Sequence, residues 1–223
     1  LACPTVYSFL PQIWNAPLRS VVLRNARLRL DVAPASPALA GVEAELAGEI
    51  GRERRLHTAL EEVDDLYDYV LIDCPPNLGL LTVNGLAAAR DGVIVPIQCE
   101  YLALEGLGQL LRAINLIRAH LNPSIRVRGM LMTMYDPRTN LSQEVVNEVR
   151  AHFSDLVFKT IIPRNVRLSE APSHGEPILT YAPNSTGASA YAAFTEELLL
   201  GDDMVLSAQR VPHPEPAVGE AEP

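Results

Sequence analysis

The chain has 223 residues, 48% of them hydrophobic and 20% charged, and a formal net charge of -9; this supplies one sizeable core, excludes a disordered tail protein and speaks against a broad basic surface. No apolar run approaches the roughly 20 residues of a membrane helix, and no basic stretch followed by an apolar one opens the chain, so a soluble, unexported protein is expected. Cys3, Cys74 and Cys99 are too few, odd in number and without ligand spacing, which argues against a disulfide framework or a zinc site and fits a reducing cytoplasm. The first residue is Leu1 rather than methionine, and a truncated chain is expected.

Leu28 to Val32 alternates apolar and charged side chains and stops at Pro34, which predicts a short strand. Leu39, Val42 and Leu46, then Leu56, Leu60 and Val63, fall at helical spacing, and Gly48 and Gly51 divide them into two helices. Tyr69 to Ile72 and Val93 to Ile97 are compact apolar runs, each followed by a helical pattern (Leu78 to Ala89, Leu104 to Leu121); they read as buried strands of a parallel sheet. Ile125 to Met134 and Leu156 to Ile162 repeat the theme, with Ser142 capping a helix through His152 between them. Ala188 to Leu200 closes the domain as a helix, and the acidic, proline-rich stretch 201–223 is expected to be disordered. The alternation predicts an α/β fold, a doubly wound and mostly parallel sheet with helices on both faces.

Ligands in such folds collect beyond the carboxyl ends of the strands. Asp73 follows the Tyr69 to Ile72 run, where a carboxylate holds hydrated magnesium beside a nucleotide phosphate or, equally, turns the chain and caps the next helix. Pro75 and Pro76 stiffen the loop after it; an acid followed by two prolines also fits an amino-methyltransferase, although Asn77 stands where those enzymes place an aromatic. No G-x-x-x-x-G-K-[ST] loop is present, and Lys159, the chain's lysine, lies inside an apolar strand run. Gly106 and Gly108 begin a G-x-G pattern that Leu111 breaks. Gln98-Cys99-Glu100-Tyr101 follows a strand as a crevice segment or as a plain loop. Arg138, Arg164 and Arg167 sit in loops after two further strands; their shared edge suits phosphate binding, while solvated arginines are the alternative. The histidines carry no ligand spacing.

Three blocks in register carry a family resemblance: Tyr67-Asp68-Tyr69-Val70-Leu71-Ile72-Asp73-Cys74-Pro75-Pro76, the stretch from Pro96 through Glu100-Tyr101 to Gly106, and Ile162-Pro163-Arg164-Asn165-Val166-Arg167 through Ser173. With weaker matches at Pro4 to Tyr7 and Ala33 to Ala47, the sequence to about Leu200 resembles the ParA/Soj chromosome-partitioning ATPases, of the deviant phosphate-loop class that includes MinD. The resemblance implies an ATPase that dimerises around ATP, binds DNA without sequence preference and is switched off by ParB-stimulated hydrolysis, cytoplasmic and nucleoid-associated where DNA binding is retained. It implies Asp73 as the acid on the Mg2+ side, Pro163, Arg164 and Asn165 at the adenine end of ATP, and Arg138 and Arg167 on DNA.

The resemblance further implies that residues 1–200 are a domain lacking the first strand, the phosphate loop with its lysines and the following helix, together with the acid that positions water. On that expectation the chain alone is not a competent ATPase. Asn184 and Thr186 stand where relatives often carry basic residues. A non-catalytic interaction module that regulates an intact ATPase is the alternative function, and the methyltransferase a distant third.

Overall fold

The computed structural model describes residues 17–27, 29–35, 37–100 and 103–209. They fall into two units, the described residues of Leu1–Val95 with Leu102–Gly129 and those of Pro96–Tyr101 with Met130–Pro223.

The first unit opens with an antiparallel hairpin of β1 (Leu23–Arg27) and β2 (Leu30–Val32). Only part of the strand expected over Leu28 to Val32 forms, because Arg29 adopts a positive φ of 58° in the turn and Leu28 lies outside the described residues. The ladder is irregular between the pairs Leu23↔Val32 and Arg27↔Leu30. Asn25, at φ 52°, occupies the irregularity and donates its N–H to Asp31 Oδ1 at 2.7 Å, the local side-chain partner that makes a left-handed residue tolerable. Tyr67 donates its hydroxyl to Asp31 Oδ2 at 2.8 Å.

The helical spacing between Leu39 and Val63 is realised in short pieces: α1 (Val42–Glu45) and α2 (Arg55–Glu61), separated where Gly51 takes φ 75°. Their apolar faces build separate clusters, Val42 and Leu46 with Leu39, Leu80 and Leu81, and Ala59 and Val63 with Leu18, Val21, Leu60 and Tyr67. The third cluster packs α3 (Leu80–Ala88) and α4 (Ala103–His120) through Leu86, Ile114, Ile117 and Ile125.

Buried asparagines lock α3 in place. Asn84 donates to the carbonyls of Arg52 and Leu80 at 2.9 and 3.0 Å and accepts from the Leu56 N–H. Asn122 donates to the Leu86 and Ala89 carbonyls at 3.2 and 2.6 Å, satisfying the end of the helix, while its own oxygen accepts from Ser124.

The expected strand Tyr69 to Ile72 does not form. The segment joins no strand ladder among the described residues, and Leu71 is 84% exposed. An apolar run becomes a strand only when neighbouring backbones take its N–H and C=O groups. Here no described strand does so.

A three-stranded parallel sheet in the order β3-β4-β5 joins β3 (Val93–Gln98), β4 (Val127–Tyr135) and β5 (Val157–Pro163), with helices on both sides. The α/β expectation therefore holds. In the second unit β4 and β5 pair at Met130↔Val157, Met132↔Ile161 and Tyr135↔Pro163. Between the first two pairs the register advances two residues on β4 and four on β5, an irregularity that spans Lys159 and Thr160. Side chains from both flanking helices satisfy the backbone there: Glu197 of α8 (Thr186–Gln209) accepts the N–H groups of Lys159 at 2.6 Å and Thr160 at 2.9 Å, and Arg150 of α5 (Asn140–Phe153) donates to the Lys159 carbonyl at 3.3 Å. Phe158 meets Phe194 edge-on at 5.0 Å beside it.

Ser142 is not the cap of α5. Thr139 is, its side-chain oxygen accepting the Ser142 N–H, while the buried Ser142 hydroxyl donates to the Cys99 carbonyl at 3.3 Å. The closing helix also continues past Leu200 to Gln209, into the stretch expected to be disordered; residues 210–223 lie outside those described.

Candidate functional site

Asp73 lies in the first unit, on an extended loop with its side chain exposed, and among the described residues nothing holds its carboxylate. The loop after it is fixed from the helix it precedes. Thr82, 5% exposed in the first turn of α3, directs its hydroxyl at the carbonyls of Asn77 (2.6 Å) and Pro75 (3.2 Å). Pro75 and Pro76 supply no N–H to compete for those carbonyls. Gly85 lets the loop lie against the helix, since a Cβ there would fall 2.5 Å from Cys74 Sγ. Burial, and then the neighbouring Asp73 carboxylate, push the Cys74 thiol pKa up.

This arrangement fits magnesium held beside a nucleotide: Asp73, an exposed carboxylate on a pinned loop, would hold the ion through its water shell and leave the other positions to phosphate oxygens. Among the described residues no group of three or more His, Cys, Asp or Glu could cage a metal, and magnesium in such sites requires none.

The remaining predicted residues belong to the second unit. Pro163 ends β5 opposite Tyr135, and the Arg164 N–H donates to the Tyr135 carbonyl at 2.8 Å, so the two loops leave the sheet edge side by side. Met134, just before this exit, has φ 52°, a conformation a non-glycine residue holds only where its surroundings impose it. The Arg164 guanidinium reaches Glu100 Oε1 at 2.6 Å, which makes Glu100 of the 98–101 segment an edge residue.

Asn165 is engaged at both ends. Its oxygen caps α6 (Val166–Glu170) by accepting the Arg167 N–H at 2.8 Å, and its amide donates to Thr186 Oγ1 at 2.7 Å at the start of α8. Thr186 is thus a tether between loop and helix.

The arginines predicted to meet DNA each carry their own carboxylate. Arg138 forms a two-pronged pair with Asp136, Nε to Oδ1 at 2.9 Å and Nη2 to Oδ2 at 2.6 Å, and its N–H also donates to Oδ1. The Arg138 side chain, then its backbone N–H, then the charge of Arg164 hold the Asp136 carboxyl well below the usual carboxylate range. Arg167 pairs with Glu170 Oε2 at 2.8 Å, an oxygen that also accepts the Tyr181 hydroxyl at 3.0 Å; Tyr181 in turn stacks on His174, ring centroids 4.8 Å apart.

The structure therefore gathers Arg138, Pro163, Arg164, Asn165 and Arg167 on the loops and the short helix α6 at the carboxyl edge of β4 and β5. The acids Asp136, Glu100 and Glu170 join them. Glu100 lies in the 98–101 segment that the sequence offered as a crevice segment or a plain loop; sequence reasoning overlooked Asp136 and Glu170 as partners, although Asp-x-Arg in a turn and Arg-x-x-Glu on a helix are recognisable pairing distances. Glu197, nearly forty positions from the backbone it holds, gave no such signal.

Comparison with known proteins gives the family. A family described as "AAA domain" matches residues 3–127. The sporulation initiation inhibitor protein Soj of Bacillus subtilis is 56% identical over 169 residues, 76% of this chain and 66% of that protein. The chromosome partitioning protein ParA of Myxococcus xanthus is 48% identical over 198 residues, 89% of this chain and 69% of that protein. The chain thus spans about two thirds of the length of these relatives. Among solved structures, cobyrinic acid a,c-diamide synthase of Mycobacterium smegmatis, with a bound ATP analogue and magnesium, superimposes with a TM-score of 0.70 at 35% identity, over 92% of this chain and 73% of that one. With an α/β sheet, a rigid acid-bearing loop and an arginine-lined strand edge in place, these identities leave one assignment: the chain belongs to the ParA/Soj family of chromosome-partitioning ATPases.

Proposed function

We propose that this chain carries part of a partitioning ATPase, with Asp73 as its acid on the magnesium side, the β5 exit loop as a nucleotide-contacting segment, and Arg138 and Arg167 as its residues for DNA. The exposed Asp73 carboxylate on a loop pinned by Thr82 carries this reading. In it, Asp73 accepts hydrogen bonds from the water shell of magnesium, Pro163 and the half-buried exit of β5 form one wall for the adenine, and the Arg164 guanidinium offers donors to the nucleotide after exchanging Glu100. Asn165 acts mainly by holding the loop, because both ends of its amide already have protein partners. The ATP analogue and magnesium in a structure 35% identical support nucleotide as the ligand. The names of the relatives support chromosome partitioning as the process.

ATP-driven dimerisation, sequence-independent DNA binding, stimulation by a ParB-like protein, and a cytoplasmic location on the nucleoid complete the proposal. No helix among the described residues is long and apolar enough to cross a membrane. The test is binding of a fluorescent ATP analogue with and without magnesium. The proposal expects magnesium to tighten binding in the wild type and to lose that effect in Asp73→Asn, with the melting temperature unchanged. A magnesium effect that survives Asp73→Asn refutes the role given to Asp73.

A further inference from the structure

Arg138, Arg164 and Arg167 would make the carboxyl edge of β4 and β5 a basic patch inside an acidic chain, but each is matched by an acid: Asp136, Glu100 and Glu170. The edge is electrically balanced. A phosphate arriving at Arg138 must displace both prongs of Asp136 and then sit near that carboxylate. At Arg167 it must displace Glu170, which Tyr181 holds in position from the other side.

We propose that Asp136 and Glu170 are built-in competitors for phosphate at Arg138 and Arg167, so that the chain holds its own affinity for DNA down. The inference rests on the reading that these arginines meet DNA. It goes beyond that reading in naming the groups that weaken the contact, and it accounts for arginines with a surface role being tied down by carboxylates two and three positions away.

Exposed ion pairs are weak, so freeing one arginine should give about a two- to fivefold gain in affinity. It also lets one more phosphate be neutralised, which steepens the dependence of log affinity on log salt by about 0.9. A neutralised acid elsewhere raises affinity slightly through net charge alone and leaves the slope unchanged.

The experiment measures fluorescence anisotropy of a labelled DNA duplex of arbitrary sequence over a salt series, with wild type, Glu170→Gln, Asp136→Asn, Arg138→Ala, Arg167→Ala, the double variant Arg167→Ala/Glu170→Gln and the control Glu148→Gln. Glu148, about two turns into α5, faces His152 rather than an arginine. The expected result is tighter binding and a steeper salt slope for Glu170→Gln and Asp136→Asn, little change for Glu148→Gln, and no gain from Glu170→Gln once Arg167 is alanine. If the arginine variants weaken binding but Glu170→Gln and Asp136→Asn gain no more than Glu148→Gln, or Glu170→Gln gains as much without Arg167, the competition is refuted and the DNA reading stands. If neither arginine variant weakens binding, or no variant binds at low salt, the DNA reading falls and the competition with it.

Discussion

Replacing Glu197 by alanine tests whether the β5 bulge depends on a side chain from a distant helix. The carboxylate accepts the N–H groups of Lys159 and Thr160 at 2.6 and 2.9 Å. A hydrogen bond to a charged group contributes about 1.5–3 kcal/mol, and the low end applies because Lys159 is exposed and its N–H can turn to water. Thr160 is half-buried, so its N–H loses its partner with less compensation. The sum is about 2–3 kcal/mol, which in a chain of this size lowers the melting temperature by roughly 4–12 °C. Glu197→Gln keeps one acceptor oxygen and falls between. The pH dependence has a definite sign. Burial acts to raise the Glu197 pKa, but the donors of Lys159 and Thr160 outweigh it and leave the folded value below the ordinary 4.5. A depressed carboxyl contributes stability that is full above its unfolded pKa and fades as the pH falls through the folded one. The gap between wild type and Glu197→Gln in urea unfolding should therefore be constant from neutral pH down to about 5.5 and close below about 4.5. A Glu197→Ala variant within about 0.5 kcal/mol of wild type at neutral pH, or a gap that does not narrow in acid, refutes the bulge argument.

Thr82→Val removes the hydroxyl that pins the Pro75 and Asn77 carbonyls and should speed alkylation of Cys74, read by mass spectrometry of its peptide, while Thr82→Ser restores the wild-type rate. Cys99, 1% exposed and with its thiol pushed up to about 11 by burial, should stay unmodified in both variants. Gly85→Ala should also raise Cys74 reactivity, because the new Cβ needs the space of Cys74 Sγ; its stability should change by less than about 1 kcal/mol, since alanine favours the helix by a similar amount. Gly92→Ala should cost about 2–3 kcal/mol by urea unfolding, as φ is 129° there and the Cβ would lie 2.8 Å from the Arg126 carbonyl oxygen. Asn122→Ala, by leaving the Leu86 and Ala89 carbonyls at the end of α3 without their donor, should cost about 2–4 kcal/mol in the same measurement.

Elements whose signal is local were readable from the sequence. Val93 to Ile97, Leu104 to Leu121 and Ile125 to Met134 became β3, α4 and β4 with ends shifted by a residue or two, because an apolar run or a helical stripe reports its own burial. The loop residues after β4 and β5 were legible for the same reason: a charged residue just past an apolar strand has little choice but the sheet edge. What failed was whatever depends on a partner. The strand signal in Tyr69 to Ile72 is as strong as that of Val93 to Ile97, yet strand formation is a property of pairs. Among the described residues this run pairs with no strand, and Leu71 is left 84% exposed.

The site followed the same division. The residue types at the edge could be listed from the chain, but their charge state as an ensemble could not. Arg138 and Arg167 read singly are cations available to phosphate, and only the geometry shows Asp136 and Glu170 already occupying them. The same holds for Asn165, whose position in the motif implies a ligand contact and whose amide is taken up by Arg167 and Thr186. A motif residue at a strand exit therefore has to be weighed against the polar groups that fold beside it. An arginine that must first leave a carboxylate binds phosphate by exchange, and exchange makes binding responsive to small changes in local charge. For a protein proposed to hold and release DNA in turn, that balance is more useful than a permanently open basic patch, and it places the control of affinity in the acids rather than in the arginines.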